Sequence, residues 1–235
     1  MEKQNGPSLF TSLLQILFPE DCLICGQLRM PGERALCRLC LYNRFERLDP
    51  DREALRLFLP VRILFRCAMW RFDKGGDIRE LLHHLKYGHV AGLGWDLGYE
   101  LGRHSRESIR VNRLVSQNRP LLVPVPLHPA TERKRGYNQA VVIARGVSAA
   151  TGWPVLEKGV VTRVRQTDSQ TGLSLEERRE NVRGVFRAEP DPGWRHHLPI
   201  LVDDVFTTGA TTFELMKSIV EAGAERSGIL TVAEA

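Results

Sequence analysis

An apolar run that ends in two adjacent acids, and then passes through a Thr/Gly turn into a helical pattern, constrains this chain more than any other feature. The stretch is Leu198 to Glu214, LPILVDDVFTTGATTFE. Pro199 to Val202 suits a buried strand with Asp203 and Asp204 at the carboxyl edge of a sheet. The chain then turns through Thr207, Thr208 and Gly209. Phe213, Met216, Ile219 and Val220 follow at helical spacing, and Gly223 stands where a left-handed residue would end the helix. A helix N-terminus presents unpaired N–H groups and partial positive charge. Backbone amides there, with the hydroxyls of Thr207, Thr208, Thr211 and Thr212, can hold a monophosphate. Gly209 permits close backbone approach. Carboxylates one turn back suit vicinal hydroxyls or a Mg²⁺-bound water better than phosphate. A phosphorylated sugar fits this layout; an ordinary turn whose acids satisfy local amides is the alternative.

The same residues resemble the binding motif for phosphoribosyl pyrophosphate (PRPP) in type I phosphoribosyltransferases: an apolar strand, two acids, two small residues, then Thr-Thr-Gly and Thr. The resemblance implies that Thr207, Thr208, Gly209, Ala210 and Thr211 take the 5-phosphate. It also implies that Asp203 and Asp204 face the ribose hydroxyls as the catalytic pair.

Near the other end, Cys22, Cys25, Cys37 and Cys40 form two CxxC pairs separated by eleven residues. Each pair can aim two thiolates at one metal, and four sulfurs complete a closed tetrahedral Zn²⁺ site. Gly26 follows the first knuckle, and Pro31-Gly32 turns the chain back. Two disulfides or four buried thiols are the alternatives. The chain shows no secretory signal, and Cys67, in an apolar run, reads as a packed thiol.

At 235 residues and 43% hydrophobic, the chain can bury one substantial core plus a small metal-held appendage. We place the break between residues 1–58, an N-terminal helix and zinc module, and residues 59–235, a phosphoribosyltransferase-like α/β domain with a mostly parallel sheet flanked by helices. Leu9, Phe10, Leu13, Leu14, Ile16, Leu17 and Phe18 make an apolar segment too short to span a bilayer. It reads as a helix under the zinc module, with a membrane-surface or partner-binding helix as the alternative. The expectation is a cytoplasmic protein without stable membrane insertion.

Val61 to Met69 reads as a strand and Asp77 to Tyr87 as an amphipathic helix. His83 and His84 on that helix cannot share a face, so a solvated or capping role is expected. Leu93 to Arg103 reads as a helix despite glycines at 92, 94, 98 and 102, a spacing that marks close packing. Leu121 to Pro126 reads as a buried strand leading to Arg133, Lys134 and Arg135. In a phosphoribosyltransferase the diphosphate lies at that strand end, so Val125 and these three cations are candidates for it, against a solvated basic helix start. Arg163 to Leu173 reads as a mobile loop followed by a helix from Leu175 to Asn181. Arg163, Arg165 and Gln170 are candidates to close over a reacting sugar, against a merely disordered connection.

The order CxxC…CxxC, LLHHLKYG, PVPLHPATERKRGYNQA, RVRQTDSQTGLSLEERRENVRGVF and ILVDDVFTTGATT resembles the ComF family over nearly the whole chain. That resemblance implies a zinc module joined to a phosphoribosyltransferase-like domain, Mg²⁺ with PRPP, and action in natural transformation, with single-stranded DNA and DNA-uptake proteins as partners. Glu234 stands where the pattern leads one to look for a basic residue. The expected chemistry is attack of a nitrogen nucleophile on the anomeric carbon of PRPP, with no acceptor pocket visible and Lys86 and Tyr87 as weak candidates for one. The alternative is a non-enzymatic single-stranded DNA-binding factor that keeps the PRPP site as sensor or scaffold. It would use Arg103, Arg106, Arg110, Arg113 and Arg119 with Trp95 and Tyr99. A net charge of +5 argues against strong nonspecific affinity.

Overall fold

The structure, a computed structural model, describes residues 21–30, 33–51, 60, 62–73, 76–88, 90–167, 174–190 and 192–235. The segment from Leu9 to Phe18, the Pro31-Gly32 turn, most of the Asp49 to Pro60 boundary, and Gln170 with its loop neighbours 168–173 lie outside these residues.

Among the described residues, four parallel strands form the central sheet in the order β1-β6-β5-β2: β1 Ile63–Arg71, β2 Pro120–Pro124, β5 Leu198–Phe206 and β6 Ser227–Glu234. Their near-continuous apolar sequences are what a sheet covered on both faces requires. Helices α1 Arg38–Asn43, α2 Asp77–Tyr87, α3 Ala91–Ser105, α4 Ile109–Gln117, α5 Pro129–Arg135, α6 Gln139–Thr151, α7 Leu175–Val182 and α8 Ala210–Glu221 accompany it. A two-stranded antiparallel ribbon, β3 Val161–Arg163 with β4 Phe186–Ala188, stands apart from the sheet. Both outer strands are covered. Residues 154–156 run beside β2 through the Leu122–Val155 bridge, and residues 46–48 run beside β1 through Arg47–Trp70.

The glycines of α3 are explained by α6. A Cβ on Gly98 would lie 2.0 Å from the Ile143 carbonyl oxygen, and one on Gly146 would lie 2.3 Å from that of Trp95. The two backbones touch, which only glycine permits. The cysteine module docks on the outer side of α3. The Ala35 amide donates to Asp96 Oδ2 at 2.9 Å, Arg34 lies over the Trp95 ring, and Leu36 and Leu41 join the core that includes Phe65 and Leu97. Cys67 is a buried thiol pushed up to about 12 by burial.

Helix α2 forms with the expected bounds, and α8 ends at Glu221, with Ala222 as its C-cap and the positive-φ Gly223, at +125°, next in the chain. Strand β5 runs further than the apolar run alone suggests. Val205 and Phe206 still pair with Ala233 and Glu234 of β6 after β2 has ended opposite Val202. Asp203 and Asp204 therefore sit on a part of β5 that overhangs β2.

Candidate functional site

Three sequence blocks that are distant in the chain converge on this overhang. The Tyr137 hydroxyl donates to the Leu85 carbonyl, Arg135 lies 5.2 Å from the centre of the Tyr87 ring, and Arg135 Nη1 donates to Gln139 Oε1 at 2.8 Å. These contacts fasten the end of α2 to the turn between α5 and α6. They place Lys86 Nζ 2.5 Å from Asp204 Oδ2. Lys86 is the functional candidate that sequence reasoning underrated. Its sign was a cation in the last helical turn, just before Gly88.

The two acids are pushed in opposite directions. Burial, reinforced by the neighbouring Asp204, pushes the Asp203 carboxyl well above its ordinary range. Burial would do the same to Asp204, but the Lys86 ammonium outweighs it and holds Asp204 below that range. Lys86 is held above its ordinary value by Asp204 although burial opposes this. Asp203 Oδ1 also accepts from the Asp204 amide at 2.9 Å. Carboxyls held this way at a strand end offer acceptors to vicinal hydroxyls.

After Phe206 the chain bends through Thr207, Thr208 and Gly209 into α8. Gly209 has φ +76°, and a Cβ there would lie 2.5 Å from the Phe213 ring, so both conformation and space demand glycine. It gives α8 no side-chain cap. Thr207 is exposed and Thr208 half-buried, with its hydroxyl accepting from the Ala210 amide at 3.4 Å; Thr211 is half-buried and Ala210 buried. Thr212 Oγ1 donates inward to the Gly209 carbonyl at 3.1 Å, so that hydroxyl is committed to the loop itself.

The basic candidates separate. Arg135 is half-buried and faces the acid pair, its charge helping to lower Asp204, whereas Arg133 and Lys134 are exposed. All three occupy the last turn of α5, where cations complement the helix dipole, not a helix start. Val125 is buried, with its amide on the Val202 carbonyl at 2.9 Å and its carbonyl accepting from Asn138 Nδ2 at 3.0 Å. Arg163 ends β3 and is within electrostatic reach of Asp203; burial lowers its pKa, and Asp203 opposes that. Arg165 Nη2 instead donates to the carbonyls of Asn181 and Arg183, anchoring the loop to the end of α7.

The four module cysteines fit a metal. Their sulfurs all lie within 4.8 Å of one another, and Cys25 Sγ and Cys37 Sγ are 3.8 Å apart. Metal–sulfur bonds of about 2.3 Å in a tetrahedron demand sulfurs about 3.8 Å apart, far beyond a disulfide bond of about 2.05 Å. Amides point at the sulfurs, with Cys37 N donating to Cys22 Sγ at 3.3 Å and Cys40 N to Cys37 Sγ at 3.5 Å. The cluster can hold a metal ion.

Trp95 and Tyr99 stack on each other at 5.2 Å, with Arg34 4.0 Å over Trp95. Of the arginines considered with them, Arg103 donates to the Tyr42 hydroxyl, Arg106 to the Thr151 carbonyl and Arg110 to that of Leu64. Glu234 is explained by Arg66, a buried cation in the middle of β1, whose Nη1 lies 2.7 Å from Glu234 Oε1. A charged residue within the apolar run ILFRCAMW was the sign that a buried counter-charge must exist. No helix of the described residues is long and apolar enough to cross a membrane.

The chain is 36% identical over 115 residues to Competence protein F of Haemophilus influenzae, a match covering 48% of this chain and 50% of that protein. It is 29% identical over 223 residues to DNA utilization protein YhgH of Escherichia coli (strain K12), covering 88% of this chain and 93% of the relative. The protein of the same name from Shigella flexneri is 28% identical over the same shares. No family model matches.

Proposed function

We propose, from the premise that this chain is homologous to the ComF-type proteins named Competence protein F and DNA utilization protein YhgH, that it acts in DNA uptake or use as a PRPP-binding, phosphoribosyltransferase-like protein. The observation that carries the PRPP reading is the union of an acid pair, one member held by Lys86 at 2.5 Å, with an uncapped helix start behind a left-handed glycine. The loop Thr207 to Thr211 receives the 5-phosphate on backbone amides and hydroxyls. Asp203 and Asp204 hold the ribose hydroxyls, and the negative charge of Asp204 favours the cationic character that develops at the anomeric carbon. Lys86 and Arg135, with Val125 at the strand end, face the diphosphate as its C1′–O bond breaks; Arg133 and Lys134 add to the field from the surface.

Mg²⁺ accompanying PRPP would add neutralisation of the leaving group, and Asp204, already paired with Lys86, would contribute little as a ligand to it. The module cysteines Cys22, Cys25, Cys37 and Cys40 hold a structural Zn²⁺.

Titration calorimetry with PRPP and Mg²⁺ tests the site. Saturable binding lost in Asp203→Asn/Asp204→Asn is expected, and heat unchanged by that double substitution would rule the site out. Two relatives' names and the stacked Trp95–Tyr99 pair favour a second ligand, single-stranded DNA. Its mark is oligonucleotide binding that weakens steeply with salt and with Trp95→Ala.

A further inference from the structure

Arg66 interrupts the apolar run of β1 and is 1% exposed. Its Nη1 forms an ion pair with Glu234 Oε1 at 2.7 Å, but neither Nε nor Nη2 has a hydrogen-bond partner among the described residues. Such a pair is costly. The desolvation of two charges is recovered only where the remaining protons are also bonded, and a neutral pair of the same size is often as stable or more so. Stability of the sheet therefore does not account for Arg66, and its surroundings show what does.

The Arg66 guanidinium carbon lies over the Phe206 ring, 4.5 Å from its centre. A desolvated guanidinium on an aromatic face is a strong contact, and it fixes where the ring stands. Glu234 adds a main-chain link. It is the register partner of Phe206, and the amide of the next residue, Ala235, donates to the Phe206 carbonyl at 3.0 Å. The Cζ edge of the same ring abuts Gly209, where a Cβ would stand 2.8 Å from it. The Phe213 ring, 5.8 Å from that of Phe206 and edge-on to it, would stand 2.5 Å from the same Cβ. Gly209, at φ +76°, is the residue that turns the chain from Thr207 and Thr208 into α8. Two rings thus confine that turn, and Arg66 seats one of them.

We infer that the buried Arg66–Glu234 pair positions the phosphate turn. Arg66, acting through Phe206, holds Thr207, Thr208 and Gly209 in the conformation that presents their amides to an anion. It is a positioning residue and does not touch the anion, because the Phe206 ring makes the contact with the turn. The effect on affinity rests on the PRPP reading, whereas the effect on the turn does not.

The test compares the intact zinc-loaded parent with Arg66→Met/Glu234→Gln, which removes both charges at nearly constant volume and strands neither. Hydrogen exchange of peptides spanning 206–213 is read by mass spectrometry without ligand, stability by urea unfolding, and PRPP–Mg²⁺ binding by calorimetry. Exchange across the turn is expected to quicken while the unfolding midpoint is no lower than the parent's. PRPP should bind about tenfold more weakly, the order set by losing one desolvated cation–aromatic contact. Phe206→Leu, which removes the ring alone, should weaken PRPP to a similar degree and add nothing to the charge-neutral pair, since both changes break one path. Unchanged exchange at 206–213, a lowered midpoint with faster exchange throughout the sheet, additive losses, or PRPP binding equal to the parent's overturns the assignment. Failure of the parent to bind PRPP sinks the PRPP reading instead, and exchange in the free protein still decides the positioning role.

Discussion

Lys86 Nζ lies 2.5 Å from Asp204 Oδ2, joining the last turn of α2 to a strand 118 positions further along the chain. The carboxylate side chain is 7% exposed and the lysine 30%. Removing one member of a buried pair strands the other charge. Lys86→Met should therefore destabilise the fold by about 2–3 kcal/mol, below the range for fully buried pairs because Lys86 keeps some solvent. Adding Asp204→Asn should restore most of the loss. Urea denaturation of the four-member cycle measures this coupling, and additive single effects would refute it.

Asp203 gives a pH signature. Its folded pKa is raised by burial and by Asp204, so the folded state binds a proton that the unfolded state has released. Its contribution is complete below the unfolded value of about 3.9 and is lost as pH rises through the folded value. Asp203→Asn, which cannot ionise, should gain stability relative to the parent as pH climbs from 4 towards 8. Parallel denaturation profiles for the two proteins would contradict this.

His104 acts in the opposite direction. It is fully buried, with Nδ1 accepting from Arg47 Nε at 3.3 Å and Nε2 3.2 Å from the Ala68 carbonyl, an arrangement that suits the neutral ring. Burial first, then Arg47, lowers its pKa from 6.5 to about 4. The unfolded state takes up the proton earlier, so about 3 kcal/mol of stability should be lost as pH falls from about 6.5 to about 4. His104→Gln should flatten that part of the profile. A slope that persists in the variant places its origin elsewhere.

Gly98→Ala sets two effects against each other. Alanine improves helix propensity by about 1 kcal/mol. Its Cβ, however, would stand 2.0 Å from the Ile143 carbonyl oxygen, a backbone atom that cannot rotate away. Net destabilisation of about 1–3 kcal/mol is expected. Thermal and urea unfolding check it; a stabilised variant would mean that α3 and α6 are not in backbone contact.

The cysteine cluster predicts one tightly held zinc per chain, measured by elemental analysis after dialysis. Cys37→Ser should lower that content and the unfolding temperature together. Cobalt-substituted protein should show the absorption of tetrahedral thiolate coordination, and its absence would remove the metal reading.

The sequence by itself determined the local devices. The apolar run to Val202, the glycines at 209 and 223 and the CxxC pairs state their conformations through short-range rules of periodicity, turn chemistry and ligand spacing. The four glycines of α3 announced a close contact without naming α6 as the partner. What only the tertiary structure decided is pairing between distant segments. Whether Arg133, Lys134 or Arg135 faces the acids depends on a rotation of α5 that the RKR run does not encode, and Arg135 alone is turned toward Tyr87 and Asp204. Lys86 meeting Asp204 and Arg66 meeting Glu234 likewise exist only once the strands are in register. Charge pairing is set by distances between surfaces, and a linear pattern fixes those only after the core has brought the surfaces together.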